Sequence, residues 1–152
     1  MASQFNLALI PERAQKFFEA NPNVLVIEDD KIMGQMVTEI LDDVGFEVKT
    51  ATNGKVALEL LKQHEVDFIV LDILLPEMDG FEIGAILREN PETHDIPIMI
   101  VSAWADGNNR QRARETLDIH HFLPKPFTED ELLFGILTLL VDSSRKGNQA
   151  QV

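Results

Sequence analysis

The chain has 152 residues, of which 45% are hydrophobic and 26% charged, so we expect one soluble globular domain with short tails and exclude two full domains. Its 26 acidic residues against 13 Lys and Arg give a net charge of -13, which argues against binding nucleic acid or an anionic membrane through the overall field and favours cations or a basic partner. Cysteine is absent, which excludes disulfides and thiol chemistry and fits a reducing, cytoplasmic location.

The two ends of the chain are predicted to lie outside the domain. Residues 1–22 form an N-terminal extension without a secretory signal, and it ends in the turn-forming sequence Asn21-Pro22-Asn23. The domain is expected over 23–141. Residues 142–152 are polar and have nothing to bury, so they are predicted to be a disordered tail.

Strand and helix patterns alternate five times within this domain. Apolar runs at 24–27, 68–71 and 98–101 are typical of strands buried on both faces of a parallel sheet. Residues 46–50 alternate in polarity, which predicts an edge strand, and a short fifth strand is expected at 121–123. The helical patterns lie at 33–44, 55–63, 81–88, 109–117 and 129–141.

Helix-start signals support this division, because Asp79 precedes Glu82, and Thr128 precedes Glu131, by the three residues of a capping box. The fold class is therefore α/β, a three-layer α/β/α sandwich around a five-stranded parallel sheet. The predicted strand order is 2-1-3-4-5, which is flavodoxin-like. Function in such sheets lies at the carboxyl ends of the strands, at the switch point between strands 1 and 3.

Acidic residues follow both strands at this switch point. Strand 1 ends in Glu28-Asp29-Asp30 and strand 3 ends in Asp72, so several carboxylates should converge. Like charges this close repel unless a cation joins them, and oxygen ligands favour Mg²⁺. For Asp30 a helix N-cap is the better interpretation.

The two remaining strands add a hydroxyl and an ammonium, since strand 4 ends in Ser102 and strand 5 in Lys125. With a carboxylate nucleophile and a metal, these groups can hold the equatorial oxygens of a transferring phosphoryl group. The pattern predicts phosphorylation of Asp72.

The motifs at these strand ends resemble the receiver domain of two-component response regulators, over about 23–141. They stand here as VLVIEDD at 24–30, DILLPEMDG at 72–80, VSA at 101–103 and FLPKPF at 122–127. Any one is weak, but four in order at four strand ends are highly specific. The resemblance implies a stand-alone phosphoacceptor signalling protein that switches conformation to control a protein partner or to pass the phosphoryl group on.

The resemblance also implies a role for each site residue. Asp72 accepts the phosphoryl group from a phosphohistidine of a sensor histidine kinase or histidine phosphotransfer protein. Mg²⁺ is held by Asp29 directly, by Glu28 through water, by Asp72 and by the backbone carbonyl of Leu74. Ser102 and Lys125 contact the phosphoryl oxygens, and Lys125-Pro126 corresponds to a cis peptide.

A conformational switch and a slow decay follow from the same resemblance. Ser102 moves toward the phosphate, and the aromatic ring of Phe122 turns inward behind it, unless Phe122 simply fills the core. Phe122 has no hydroxyl, so packing alone should report its position. Leu74 and Trp104 occupy positions that influence the hydrolytic water in this family, and neither can orient water, so we predict slow self-dephosphorylation.

The sequence says less about the surfaces that bind a partner protein. The last helix is apolar on more than one face, so a homodimer or the chain's own leading segment, with Phe17 and Phe18, is expected to cover it, and we place the homodimer ahead. A downstream protein target is expected on the face between the fourth and fifth predicted helices. Three arginines at 110, 112 and 114 are interpreted as a solvated face, and direct nucleic-acid binding is not expected.

Two other functions compete with a non-enzymatic switch. A Mg²⁺-dependent aspartate-nucleophile phosphohydrolase shares the carboxylate, Ser and Lys, but needs a second acid where Leu74 stands. A flavodoxin-type FMN binder shares the sheet, but the acids after strand 1 would repel a phosphate.

Overall fold

Helices and strands alternate along residues 12–150, which the computed structural model describes, except for the side chains at 13, 14, 17, 18 and 145–150. The helices are α1 (Glu12–Glu19), α2 (Lys31–Asp43), α3 (Gly54–Gln63), α4 (Gly80–Glu89), α5 (Gly107–Leu117) and α6 (Glu129–Ala150). The strands are β1 (Asn23–Ile27), β2 (Glu47–Ala51), β3 (Phe68–Leu71), β4 (Ile98–Ser102) and β5 (His121–Pro124).

The five strands form one parallel sheet in the order β2-β1-β3-β4-β5, as predicted. The apolar runs of β1, β3 and β4 lie in its centre, because only a strand covered on both faces can be apolar throughout. The mixed sequence of β2 lies at an edge. Ile27 pairs with Ala51 on one side and with Leu71 on the other, so β1, β2 and β3 end at the same level.

The core has two parts, one on each face of the sheet. Val24 and Val26 face the side that α2 and α6 cover, and Leu25 and Ile27 face the side that α3, α4 and α5 cover. Every side chain of β1 from Val24 on is therefore buried. Packing on both faces of the sheet holds this strand in place, and with it the residues that follow its end.

Polar caps begin the helices close to the strand ends. Asp30 accepts hydrogen bonds at Oδ1 from the N–H groups of Ile32 and Met33, and so caps α2 as predicted. At α6 the predicted capping box is complete: the N–H of Glu131 donates to the Thr128 hydroxyl, and the N–H of Thr128 donates to the Glu131 carboxylate.

The last helix differs from the prediction of a disordered tail after residue 141. Helix α6 continues to Ala150, while 151–152 lie outside the described residues. Once a helix has begun, each further residue adds one hydrogen bond, and no proline interrupts this sequence. One tertiary contact supports the extension, since Asp142 lies 3.1 Å from Nε2 of His121 on β5. Within the helix, the Ser143 hydroxyl donates to the carbonyl of Leu139.

Helix α1 contacts α6, so part of the leading segment packs on the last helix. Phe17 and Phe18, which the sequence suggested for this contact, lie outside the described side chains. Along residues 12–150, none of the helices combines the length and the apolar character that a membrane span requires.

Candidate functional site

The candidate site lies at the carboxyl edge of the sheet, where Glu28 follows β1 and Asp72 follows β3. The N–H of Glu28 donates to the carbonyl of Ala51 at 3.0 Å, and the N–H of Asp72 donates to that of Ile27 at 3.0 Å. The strand pairing therefore extends one residue beyond each strand and fixes both acids. Both are buried, with 8% and 4% of their surface exposed.

The carboxylates of Glu28, Asp29 and Asp72 form the acidic cluster that the sequence predicted. One oxygen of each lies within 4.8 Å of the others. Asp29 is exposed and provides the open side. Carboxylate oxygens at this spacing fit a hard divalent cation such as Mg²⁺, whereas Asp30 caps α2 and is not in the cluster.

Lys125 supplies the one ammonium in direct contact with these buried acids in the described part of the chain. Its Nζ donates to Oε2 of Glu28 at 2.8 Å and to Oδ2 of Asp72 at 2.9 Å. The N–H of Lys125 donates to the carbonyl of Ser102, and the Lys125-Pro126 peptide is cis. The end of β5 is thus tied to the end of β4, and the ammonium is held against the nucleophile candidate.

The electrostatics of the cluster favour a further cation. Burial, together with the charge of Asp72, raises the pKa of Glu28 to about 7, although the hydrogen bond from Lys125 opposes this. Burial disfavours the Lys125 ammonium, but its hydrogen bonds to Glu28 and Asp72 outweigh this and raise the pKa of Lys125. One ammonium does not neutralise three carboxylates, so a divalent ion would complete the charge balance.

The loop after β3 holds the Asp72 carboxylate from the other side. Oδ1 of Asp72 accepts a hydrogen bond from the N–H of Leu74 at 3.0 Å. The N–H of Gly80, the first residue of α4, donates to the carbonyl of Ile73 at 2.9 Å. A Cβ at Gly80 would lie 2.6 Å from the Asp72 carbonyl oxygen, so only glycine allows α4 to begin this close to the nucleophile candidate.

Ser102 is the last residue of β4, and Phe122 lies on β5 opposite Ile100. Ser102 is fully buried, and its hydroxyl accepts a hydrogen bond from the N–H of Trp104 at 3.2 Å. Phe122 is half-buried among the apolar residues on the α5 side of the sheet. Leu74 and Trp104 are 39% and 55% exposed, so both can meet solvent at the rim.

Sequence reasoning missed one residue that contacts a predicted switch residue. The guanidinium carbon of Arg110 lies 5.6 Å from the centroid of the Phe122 ring. The prediction that packing alone reports Phe122 is therefore incomplete. No local signal could have found this pair, since its members lie on different elements and only the packing of α5 against β5 brings them together.

Comparisons with known proteins agree with the geometry. A family model described as the response regulator receiver domain matches residues 24–136. The polar-differentiation response regulator DivK of Brucella anthropi is 28% identical over 121 residues, which cover 80% of this chain and 98% of DivK. The DNA-binding dual master transcriptional regulator RpaA of Synechocystis is 31% identical over 124 residues, covering 82% of this chain.

Solved structures share the fold over most of the chain. Chemotaxis protein CheY4 of Vibrio cholerae superposes with a TM-score of 0.74 at 29% identity, covering 78% of this chain and 98% of CheY4. The receiver domain of Francisella response regulator 1452 gives a TM-score of 0.71 at 32% identity, covering 83% of this chain and 99% of that domain. The chain spans only about half of RpaA (51%), which therefore contains residues with no counterpart here.

Proposed function

This chain belongs to the response regulator receiver domain family, and on that premise we propose that it is a phosphoacceptor switch in which Asp72 accepts a phosphoryl group from a phosphohistidine. The donor is a sensor histidine kinase or a histidine phosphotransfer protein. The observation that carries the proposal is the pair of hydrogen bonds on Asp72, from Lys125 to Oδ2 and from the Leu74 N–H to Oδ1. They hold a buried carboxylate in one orientation at an open edge of the sheet.

In the proposed step, a carboxylate oxygen of Asp72 attacks the phosphorus atom of the phosphohistidine. The new O–P bond forms as the N–P bond breaks, and its electron pair returns to the imidazole nitrogen of the donor. Lys125 and Ser102 contact the oxygens of the phosphoryl group. Positioning and charge compensation are the main contributions a protein can make to such a transfer.

Mg²⁺ is the proposed cofactor, with Asp29, Asp72 and the carbonyl of Leu74 as ligands and Glu28 acting through water. When bound, the ion neutralises charge that develops on the phosphoryl oxygens. The acidic cluster of Glu28, Asp29 and Asp72 supports this assignment, because its oxygens lie within 4.8 Å of one another.

The output is proposed to be a population shift in which Ser102 moves toward the phosphate and the Phe122 ring turns inward. The altered surface between α5 and α6 then binds a downstream protein or another copy of this chain. A homodimer is tested by light scattering with and without acetyl phosphate, and a monomer in both conditions contradicts it.

The competing function is an aspartate-nucleophile phosphohydrolase that uses the same carboxylate, Ser102 and Lys125. It lacks support at position 74, where a leucine stands instead of an acid that could protonate a leaving group. Steady release of phosphate from a generic phosphomonoester would favour the hydrolase.

Acetyl phosphate with Mg²⁺, followed by intact mass measurement, tests the proposal. We expect one phosphoryl adduct per chain, stable in acid and labile in base. It should not form in Asp72→Asn or when EDTA removes Mg²⁺ before the donor is added. Asp43→Asn is the matched control, since it removes an exposed acid from α2 and should leave the adduct in place. An unmodified wild-type chain at saturating donor contradicts the proposal.

A further inference from the structure

Arg110 joins two parts of the proposed switch that are separate in sequence. Its guanidinium carbon lies 5.6 Å from the centroid of the Phe122 ring, within the range of about 6 Å for a cation–π contact. Its Nε donates to the carbonyl of Ala105 at 2.9 Å. Ala105 lies in the loop between β4 and α5, three residues after Ser102. Arg110 therefore contacts the loop of the hydroxyl and the ring of the aromatic residue.

The contact between Arg110 and the Phe122 ring takes the place of a hydrogen bond that a ring hydroxyl could form. A phenylalanine ring has no hydroxyl, but the negative face of its π system attracts a cation. Both Arg110 and Phe122 are half-buried, which weakens the competition from water. The interpretation of the three arginines as a solvated face is therefore incomplete for Arg110, whereas Arg112 and Arg114 are exposed as that interpretation expects. The guanidinium carbon of the exposed Arg112 lies 3.9 Å from the Phe81 ring centroid.

The same loop carries the hydrogen bond to Ser102. The N–H of Trp104 donates to the Ser102 hydroxyl, and the Trp104 carbonyl accepts a hydrogen bond from the Asn109 side chain at 2.9 Å. Any movement of this loop changes the anchor of Arg110 as well as the environment of Ser102. The ring of Phe122 lies on β5 opposite Ile100, two residues before Ser102 on β4.

We propose that Arg110 is a positioning residue that holds the Phe122 ring in its half-buried position and thereby restrains the switch. An inward ring would have to leave the guanidinium, so the contact favours the outer position. By linkage, a restraint on the switch weakens binding of any ligand that favours the inward ring. The inference rests on the proposed function, because it concerns how phosphorylation at Asp72 reaches the α5–α6 side.

The test is a double-mutant cycle on the affinity for beryllium fluoride, a phosphoryl analogue, in the presence of Mg²⁺. The single tryptophan of the chain, Trp104, lies in the loop and provides a fluorescence titration. The variants are Arg110→Gln, Phe122→Leu and the pair. Arg114→Gln is the matched control, because it removes the same charge from an exposed position one turn along α5.

We expect Arg110→Gln to tighten analogue binding about two- to fivefold in the wild-type background, the range for loss of one cation–π contact that is only partly shielded from water. In the Phe122→Leu background it should have no effect, because the ring that it acts through is gone. Arg110→Lys, which keeps the cation, should restore affinity close to wild type. If Arg110→Gln does not fold, Arg110→Met is titrated with the same expectation.

Two results would overturn the inference: Arg110→Gln matches Arg114→Gln, or it tightens binding equally with and without the Phe122 ring. A failure of the proposed function looks different. In that case the wild-type chain itself shows no Mg²⁺-dependent titration with beryllium fluoride.

Discussion

Leu74 lies two residues after Asp72 and Trp104 two residues after Ser102, and neither side chain has a carboxylate or an amide that could orient an attacking water. Leu74 is 39% exposed and its N–H donates to Oδ1 of Asp72, so its backbone contacts the acid directly. Hydrolysis of an acyl phosphate needs a water oriented toward phosphorus, and a carboxylate or an amide orients water better than an alkyl chain or an indole ring.

Replacing both residues by polar ones should therefore shorten the life of the phosphoryl group. We expect the Leu74→Asn, Trp104→Glu double variant to lose the adduct faster than wild type, measured by intact mass after the donor is removed. Ile86→Asn is a matched control, because Ile86 is also 39% exposed but lies on α4, beyond the loop that surrounds Asp72. Equal decay rates for the double variant and wild type would refute the role assigned to these two positions.

Glu28 gives a pH dependence of stability in metal-free buffer. Its folded-state pKa of about 7 lies above the ordinary value of 4.5, because burial penalises the carboxylate. The folded state therefore binds the proton more tightly than the unfolded chain. The resulting stabilisation is present below about 4.5 and is lost as the pH rises through about 7.

Glu28→Gln removes this titration, so the melting temperature of the variant minus that of wild type should increase from pH 5 to pH 8 in EDTA. Glu47→Gln removes an exposed acid from β2, and its difference from wild type should stay nearly constant with pH. A constant difference for Glu28→Gln would mean that the acid is not penalised by burial. The Lys125 ammonium, whose pKa is raised, stays charged over this range.

At the level of elements, the approach of α4 to β3 depends on Gly80. A Cβ there would lie 2.6 Å from the Asp72 carbonyl oxygen and 2.7 Å from Cα of Ile73, and neither backbone atom can give way. We expect Gly80→Ala to lower the free energy of unfolding by about 1–3 kcal/mol, as overpacking does, and to reduce the yield of the Asp72 adduct.

The comparison variant is Gly107→Ala, since Gly107 is also the first residue of a helix, but a Cβ there would meet nothing within 4 Å beyond its own helix and chain neighbours. Urea unfolding should show no loss of stability for it. Similar losses for the two variants would mean that helix starts in general, and not the contact with Asp72, require glycine.

The sequence predicts a helix or strand well when the residues that determine it lie within that segment, and poorly when contacts with distant segments determine it. The apolar runs of β1, β3 and β4 and the caps at Asp30 and Thr128 are local, and the strand order and helix starts built on them are confirmed. The end of α6 and the position of α1 depend on contacts between distant segments. Polar residues after 141 look disordered by composition, but the pair of Asp142 with His121 supports a helix there.

The candidate site follows the same rule. The apolar runs place Glu28, Asp29, Asp72 and Lys125 at strand ends. Because parallel pairing brings strand ends to one edge of the sheet, topology predicts that these residues meet. Ser102 bonding to Trp104 could not be read from spacing, since it depends on the conformation of one loop. A pattern of charges does not reveal which arginine faces a ring.

For the whole molecule, a net charge of -13 means that the folded chain repels itself, and any salt should stabilise it by screening. If Mg²⁺ binds at the acidic cluster as proposed, it should do more than screen, because the three carboxylates come together only in the folded state. At a hundred times its dissociation constant this adds about 2.7 kcal/mol. For a chain of this size that corresponds to roughly 5–10 °C in melting temperature.

The two effects separate when Mg²⁺ and Na⁺ are compared at equal ionic strength. We expect Mg²⁺ to raise the melting temperature more than Na⁺ does, both in wild type and in Asp43→Asn, which removes one negative charge away from the cluster. This additional rise should be lost in Asp29→Asn, which removes one negative charge within the cluster. Removal of the metal by EDTA should return wild type to the Na⁺ value. Because both variants change the net charge equally, a field spread over the whole surface would treat them alike, and only a localised ion distinguishes them. If Asp29→Asn keeps the full rise, the ion is bound elsewhere, and the charge balance argued for Asp72 and Lys125 fails with it.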